Sequence, residues 1–348
     1  MAIVVTDSRF IQACLGQPHD TVPVWFMRQA GRYQPSYRAL RSRFSMLELA
    51  RTPIHIRDVT VRPVEDLGVD AAILFSDIMI PLDGMNIRFD IKEHVGPLVF
   101  DPIRTGADVA RLAPFNREKV DFVFEGIRRT VEALGPTTPL LGFSGAPFTL
   151  ASYLIEGGPS RTYRRTKAWM WTDPPGFEAL LSRLADMAVQ YLTGQVEAGA
   201  SALQIFDSWV GTLATVDYRA AVLPHMVRIF QALAPLGVPL IYFGVGTPHL
   251  LSDMKSLGAT VLGIDWRTPI TEARALVGPD VGLMGNLDPE RLVAGQSQAL
   301  MGARGIVEAM KGDGRYIFNL GHGVPKESDP MVLKALVAHV HQWGRYSS

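Results

Sequence analysis

The sequence predicts an α/β fold, specifically a single (β/α)8 barrel of the TIM type. Eight short runs of apolar residues recur along the chain, rich in β-branched and aromatic side chains, and none alternates polar with apolar. Such runs are typical of parallel strands that are buried on both faces. Segments with apolar residues about 3.6 positions apart, as in a helix, separate the later runs, for example 177–199, 247–258 and 290–312. Strands that alternate with helices indicate a parallel sheet, and eight repeats favour a closed barrel over an open sheet.

The predicted strands follow one another from the N-terminal to the C-terminal part of the chain. They are 22–26, 71–75, 139–143, 202–206, 240–243, 261–265, 282–285 and 316–320. No G-x-G-x-x-G sequence follows the first strand, as a dinucleotide-binding fold would require. Residues 86–102 alternate like a hairpin, which we interpret as an insertion between the second and third strands. Because no low-complexity linker divides the chain, we predict one domain over residues 1–348.

Composition excludes several classes of protein. The 34 basic residues balance the 34 acidic ones, so we expect no general affinity for nucleic acid or for an anionic membrane. A single cysteine, Cys14, rules out an intramolecular disulfide and a multi-cysteine zinc site. No run approaches the ~20 apolar residues of a membrane span, and residues 1–10 do not resemble a signal peptide. We therefore expect a cytoplasmic protein.

In a barrel of this type, the residues that follow the strands meet at one rim, where active sites lie. The polar or small residues at these positions are Arg28, Ser76, Asp77, Ser144, Gly145, Asp207, Ser208, Gly244, Asp265, Asn286 and His322. Each one alone could simply terminate a strand, but together they predict a polar site. Neither an H-E-x-x-H metal motif nor a G-x-S-x-G nucleophile motif is present. Glycine-bearing loops at 242–248 and 319–325 leave phosphate binding open.

Arginine is concentrated in the first part of the chain. Residues 1–62 contain nine arginines, no lysine and four acidic residues, and the arginine side chain suits paired recognition of carboxylates. Arg28 directly follows an apolar strand, so we expect it to be buried, where an unpaired charge is costly. A ligand with several carboxylates would supply its partner. Pro35 suits the first turn of a helix, on which we expect Arg38 to face solvent.

Asp77 lies at the end of the second strand with apolar residues on both sides. Its carboxylate could accept N–H groups from a ligand, or it could pair with Arg28. The residues alone leave both interpretations open.

Five segments, in order, make the chain resemble the uroporphyrinogen decarboxylase family. They are PVWFMRQAGRYQP (23–35), LFSDI (74–78), GFSGAPFTLASYLIEGG (142–158), LQIFDSWVG (203–211) and FNLGHGVP (318–325). The resemblance extends over roughly residues 8–343. It implies a (β/α)8 barrel that acts as a homodimer without cofactor or metal. The implied reaction removes the four acetate carboxyl groups of uroporphyrinogen III, which yields coproporphyrinogen III and four CO2 in the biosynthesis of haem and other tetrapyrroles.

The resemblance also implies which residues form the site. Catalytic roles fall to Asp77, which receives the pyrrole N–H groups, and to Arg28 and Tyr153. The implied substrate contacts are Arg28, Gln29, Ala30, Arg32, Arg41, Ile73, Asp77, Gly145, Tyr153, Phe206, Ser208 and His322. Arg28 is the proton donor by analogy, but a histidine such as His322 has a better matched pKa, so the identity of the acid stays open.

Two other functions are considered. A zinc-dependent corrinoid or thiol methyltransferase on a similar barrel is disfavoured, because a single early cysteine cannot supply the zinc ligands. A non-catalytic tetrapyrrole carrier is also possible, since binding alone would retain Arg28, Asp77 and Tyr153.

Overall fold

The structure is a computed structural model that describes residues 5, 7–93 and 95–346. Its centre is a curled parallel sheet of seven strands in the order β1-β4-β5-β6-β7-β8-β9, and a separate antiparallel hairpin contains β2 and β3. The strands are β1 Ala72–Ile73, β2 Phe89–Lys92, β3 Gly96–Val99, β4 Leu140–Gly145, β5 Ala202–Asp207, β6 Leu240–Gly244, β7 Val261–Gly263, β8 Gly282–Leu287 and β9 Tyr316–Leu320. The predicted α/β barrel fold is confirmed.

Helices connect these strands and pack around the sheet. They are α1 Arg9–Leu15, α2 Pro35–Arg41, α3 Met46–Arg51, α4 Pro53–Leu67, α5 Gly106–Ala110, α6 Asp121–Leu134, α7 Pro147–Glu156, α8 Arg164–Thr172, α9 Pro174–Ala198, α10 Thr215–Asp217, α11 Leu223–Leu233, α12 Leu251–Lys255, α13 Ile270–Val277, α14 Glu290–Val293, α15 Gln296–Ala309 and α16 Pro330–Trp343. None of the helices in the described residues combines the length and apolar character needed to cross a bilayer.

The predicted helices differ from the observed ones in two places. The pattern over 177–199 corresponds to most of α9, which ends as expected at Gly199 with φ of 119°. The prediction of one helix over 290–312 was wrong, because Gly295 takes a φ of 103° and divides the segment into α14 and α15. Only α12, preceded by a short 3-10 turn at Pro248–Leu250, forms within 247–258.

The first predicted strand, 22–26, is not a regular strand, and this prediction was wrong. Among the described residues, its ladder contact is an isolated parallel bridge between Val24 and Phe318 of β9. Pro23 has no N–H to donate, and the Val24 N–H donates to the Asp70 carboxylate at 2.7 Å instead of to a strand. The segment still lies between the two sheet edges, because Pro23 O accepts from Phe318 N at 2.9 Å and Val24 O from Asp70 N at 2.8 Å.

The Gln29 side chain completes this closure of the barrel. It is fully buried, its Oε1 accepts from Phe26 N at 3.1 Å, and its Nε2 donates to Ala71 O at 3.1 Å. The amide thus links the segment before Arg28 to the start of β1.

The predicted insertion at 86–102 forms the β2–β3 hairpin. Its strands pair from Phe89 opposite Val99 to Lys92 opposite Gly96, and residue 94 near the tip lies outside the described residues. Val99 N donates to Gly157 O at 3.0 Å, so the base of the hairpin is fixed to the end of α7. Near the hairpin tip, Glu93 lies 3.8 Å from Arg32, so the hairpin reaches the segment that follows Arg28.

Candidate active site

A tight turn after the barrel-closing segment presents Arg28. The residue has a left-handed backbone with φ of 59°, a conformation that is uncommon for residues other than glycine and costs roughly 1–2 kcal/mol. Flanking hydrogen bonds hold the turn: Met27 N donates to Asn319 Oδ1 at 3.1 Å, and Val324 N donates to Met27 O at 2.9 Å. Strain that the surroundings enforce in this way is typical of functional positions.

The Arg28 side chain is exposed, which contradicts the expectation that it is buried. The turn directs the side chain out of the barrel and across Gly323, where an added Cβ would lie 2.4 Å from Arg28 Cδ. In the part of the chain that the structure describes, no carboxylate forms an ion pair with Arg28. Its guanidinium is therefore available to an anionic ligand.

Asp77 faces the same region from the loop after β1. Its Oδ1 accepts the backbone N–H of Met79 at 2.9 Å. Burial raises the pKa of the Asp77 carboxyl above its ordinary value, while the Met79 N–H and the Arg28 guanidinium oppose that rise. The two charges thus interact without the direct ion pair that one interpretation of the sequence required.

Tyr153 lies on α7, within range of both charges. Burial and the Asp77 carboxylate raise the pKa of its phenol to about 12, and the Trp209 indole and the Arg28 guanidinium oppose the rise. Its ring packs against Trp209 at 6.0 Å and 64°. The phenol is therefore a hydrogen-bond donor at neutral pH.

His322 reaches the site from the loop after β9, with its ring edge-on to Trp266 at 6.1 Å. Burial and the guanidinium groups of Arg28 and Arg267 lower the pKa of the imidazole to about 4, although Asp265 opposes this. The expectation that the pKa of His322 suits proton donation near pH 7 was wrong, because the imidazole is neutral there.

Arg32 and Arg38 follow Arg28 in the loop and in α2, which begins at Pro35 as predicted. Arg32 Nη1 lies 3.8 Å from Oε1 of Glu93 on the hairpin, and both side chains are about half exposed, at 45% and 57%. Arg38 is exposed as expected, and its guanidinium also donates to Arg32 O at 2.9 Å.

Arg41 lies at the end of α2, where its Nη1 donates to Phe44 O at 2.5 Å. The positive charge of Arg41 also affects the pKa of the buried Tyr37 phenol. Burial raises the pKa of Tyr37, with Arg41 and Arg32 opposing and Asp77 reinforcing the rise. Tyr37 therefore lies close enough to both arginines and to Asp77 for their charges to affect its phenol, a placement that the sequence did not predict.

The sequence also predicts apolar and small residues in the site. Gly145 of β4 lies opposite Phe206 of β5 in the sheet, and a Cβ at Gly145 would lie 3.1 Å from Ile78 Cβ, so glycine lets the Asp77 loop pass closely. Phe206 is half-buried and packs edge-on against Phe143 at 5.4 Å. Ile73 is buried in β1, while Ala30 and Ser208 are half-buried.

Gln29 is placed differently from the other predicted contacts. Because its side-chain amide closes the barrel, that side chain does not line the site. Substrate contact by Gln29 and by the other predicted residues stays a prediction.

A family model described as Uroporphyrinogen decarboxylase (URO-D) matches residues 5–343. The chain belongs to the uroporphyrinogen decarboxylase family. A protein named uroporphyrinogen decarboxylase from Streptomyces griseus is 51% identical over 336 residues, which cover 97% of this chain and 92% of the relative. One of the same name from Nocardia farcinica is 50% identical over 343 residues, which cover 97% of each chain.

Among solved structures, a methyltransferase from Methanosarcina mazei superimposes with a TM-score of 0.83, covering 98% of this chain and 99% of its own. Its sequence identity to this member of the uroporphyrinogen decarboxylase family is 20%, so the similarity shows the fold alone. Within the described residues, no group of three or more His, Cys, Asp or Glu side chains could hold a metal ion. His94 lies outside those residues.

Several predicted rim residues have internal partners in this family member. Asn286 Nδ2 donates to Asp265 O at 2.8 Å and to Thr268 O at 2.6 Å, and the Asp265 carboxylate pairs with Arg267 at 2.7 Å. These hydrogen bonds and the ion pair hold the loops that follow β7 and β8.

Two tryptophans at the rim were missed by sequence reasoning. Trp209 packs on Tyr153, and Trp266 lies edge-on to His322 with the Arg267 guanidinium 3.9 Å from its ring centroid. Their positions in the sequence could have identified them, because each tryptophan lies one or two residues after an aspartate at the end of a predicted strand.

Proposed function

We propose that the chain is a decarboxylase that converts uroporphyrinogen III to coproporphyrinogen III by removing four acetate carboxyl groups as CO2. The observation that carries the proposal is the meeting of the Arg28 guanidinium, the Asp77 carboxylate and the Tyr153 phenol at the end of one barrel. Membership of the uroporphyrinogen decarboxylase family and the names of relatives about half identical to the chain support it.

Substrate binding follows from complementary charge. Uroporphyrinogen carries eight carboxylates and four pyrrole N–H groups, and guanidinium groups bind carboxylates through paired, charge-assisted hydrogen bonds. We assign this role to Arg28, Arg32 and Arg41, with hydrogen bonds from Tyr153, Ser208 and His322. The Asp77 carboxylate gathers the pyrrole N–H groups at the centre of the macrocycle. Backbone at Gln29 and the surfaces of Ala30, Ile73, Gly145 and Phe206 line the remainder.

The chemistry requires an electron sink. Protonation of a pyrrole carbon makes the ring cationic, and the electrons of the bond to the departing carboxylate then neutralise the ring as CO2 leaves. A proton added to the exposed methylene carbon gives a methyl group, and loss of the first proton restores the pyrrole. The Asp77 anion lies where the positive charge develops, which is where a fixed charge lowers the barrier most.

Arg28 is the better candidate for holding a carboxylate than for donating a proton, because a guanidinium pKa above ~12 makes transfer slow. Neutral His322 likewise donates a hydrogen bond more readily than a proton at pH 7. We therefore propose that the protons reach the substrate carbon by way of solvent or a neighbouring carboxyl group.

We also propose that the enzyme acts in the cytoplasm as a homodimer, without cofactor or metal. The family resemblance motivates the dimer and the absence of a cofactor, and light scattering on the purified protein tests the dimer. A monomer with full activity would refute it.

The decisive assay incubates chelator-treated protein with uroporphyrinogen III in the dark without oxygen and separates the products by carboxyl number. We expect heptacarboxylate to tetracarboxylate products. Substrate binding without these products would indicate a carrier, and activity that requires added zinc would indicate metal-dependent chemistry. Either result would refute the proposal.

A further inference from the structure

A buried carboxylate lies next to the site without facing it. Asp207 ends β5 and is fully buried. Its Oδ1 accepts from Thr149 Oγ1 at 2.7 Å, and its Oδ2 accepts from the Tyr242 hydroxyl at 2.8 Å. Burial raises the pKa of Asp207 to about 6, and the two hydroxyl donors oppose the rise. Burying a charge is unfavourable unless it is well hydrogen-bonded, and the Thr149 and Tyr242 hydroxyls offset that cost here.

The Thr149 hydroxyl connects this carboxylate to two site elements. Its Oγ1 also accepts the backbone N–H of Trp209 at 3.3 Å, which makes a chain from Trp209 through Thr149 to Asp207. Thr149 stands four residues before Tyr153 on α7, so both side chains project from the same face of the helix.

This arrangement restrains Tyr153 in two ways, through its own helix and through the Trp209 ring. Thr149 fixes the helix that carries it, and the backbone of Trp209, whose ring packs on Tyr153 at 6.0 Å, is fixed by the same hydroxyl. The half-buried Ser208 lies between Asp207 and Trp209 in sequence, so its backbone is restrained at both ends.

We infer that Asp207 and Thr149 are positioning residues, which orient the Tyr153 phenol and the Ser208 hydroxyl toward the substrate carboxylates by fixing α7 to the end of β5. The inference rests on the proposed function for the roles of Tyr153 and Ser208. Tyr242 provides a matched control, because its hydroxyl binds the same carboxylate from β6 and has no hydrogen bond to α7.

The test compares Thr149→Val, Thr149→Ser and Tyr242→Phe, each alone and combined with Tyr153→Phe. Thr149→Val keeps the shape and removes the hydroxyl, and we expect kcat to fall about tenfold or more, with rescue by Thr149→Ser to within a factor of three. Tyr242→Phe should lower the melting temperature but change kcat less than twofold. In the Tyr153→Phe background, Thr149→Val should have little further effect, because residues that act through one another are not additive.

A second readout does not depend on turnover. The chain has six tryptophans, and with 5-fluorotryptophan incorporated, Trp209→Phe identifies the Trp209 resonance in the 19F NMR spectrum. We expect Thr149→Val to shift or broaden that resonance, whereas Thr149→Ser and Tyr242→Phe leave it in place.

Two results would overturn the inference: fully multiplicative effects of Thr149→Val and Tyr153→Phe on kcat, or equal losses of kcat in Thr149→Val and Tyr242→Phe. An unmoved Trp209 resonance in Thr149→Val would do the same. If the wild-type protein shows no decarboxylation at all, the proposed function fails, and the resonance still decides the positioning role.

Discussion

Arg28 and Asp77 show how two charged residues can share a site without neutralising each other. The left-handed turn carries the guanidinium out of the barrel, while Met79 N–H holds one oxygen of the carboxylate. Each charge stabilises the other, because the Arg28 guanidinium opposes the rise that burial causes in the pKa of the Asp77 carboxyl. A ligand with both carboxylates and N–H donors can therefore engage both.

Replacing Asp77 with asparagine tests its electrostatic role. Asp77→Asn keeps the shape but removes the anion, so we expect kcat to fall at least about 100-fold, the size typical for loss of one fixed transition-state group, with a much smaller change in KM. Asp83→Asn is the control, because the Asp83 carboxylate lies six residues further along the chain and pairs with Arg51 at 2.9 Å. Turnover that survives in well-folded Asp77→Asn would contradict the proposed chemistry.

We expect His322 to make substrate binding dependent on pH. The pKa of its imidazole is about 4 in place of 6.5, so the free protein holds this side chain neutral at pH 5.5–6. A substrate carboxylate nearby raises the pKa, and binding should therefore take up a fraction of a proton in this pH range. Calorimetry of polycarboxylate binding in buffers of different ionisation enthalpy measures the uptake, and His322→Asn should lose it. Equal uptake in the two proteins would exclude His322 as its source.

At the scale of elements, the hairpin contributes a carboxylate to the rim. The β2–β3 hairpin is fixed at its base to α7, and near its tip Glu93 lies 3.8 Å from Arg32. A substrate carboxylate that binds Arg32 must compete with this residue.

Glu93→Gln should therefore lower KM by about two- to fivefold with kcat unchanged, because an exposed ion pair is worth less than ~1 kcal/mol. Asp101→Asn is a matched control that removes the same charge from the other end of the hairpin, where Asp101 pairs with Arg88 at 2.7 Å. An equal fall in KM in both variants would point to net charge and would remove the specific role of Glu93.

At the scale of the whole molecule, Asp70 joins the two ends of the chain to the barrel. Its carboxylate, with a side chain only 9% exposed, binds Arg9 of α1 at 2.9 Å and His341 of α16 at 2.7 Å. It also accepts Val24 N at 2.7 Å, which holds the irregular segment that closes the barrel. One side chain therefore links helices from both ends of the chain to the barrel.

Asp70→Ala should lower the free energy of unfolding by about 3–5 kcal/mol, the range for breaking a largely buried ionic network. Asp20→Ala should cost less than ~1 kcal/mol, because Asp20 is 66% exposed and its ion pair is with Arg9. Urea unfolding followed by circular dichroism measures both. Similar losses in the two variants would show that Asp70 does not have this central role.

Local pattern was enough to predict seven of the eight proposed strands, the hairpin insertion and the start of α2. The first predicted strand, 22–26, was wrong for a reason that lies outside its own sequence. The Val24 N–H binds the Asp70 carboxylate instead of a neighbouring strand, and β1 is only two residues long, so there is little edge for the segment to pair with.

By itself the sequence determined the α/β class, the order of strands, the residues at their ends and the family, because periodicity and motif identity are properties of the local chain. Only the tertiary structure decided that Arg28 is exposed, that the Gln29 side chain closes the barrel, and that the pKa of His322 is about 4. Burial and charge environment depend on groups brought together from distant positions, as Asp207 is with Thr149, 58 residues away. Folding alone sets those distances.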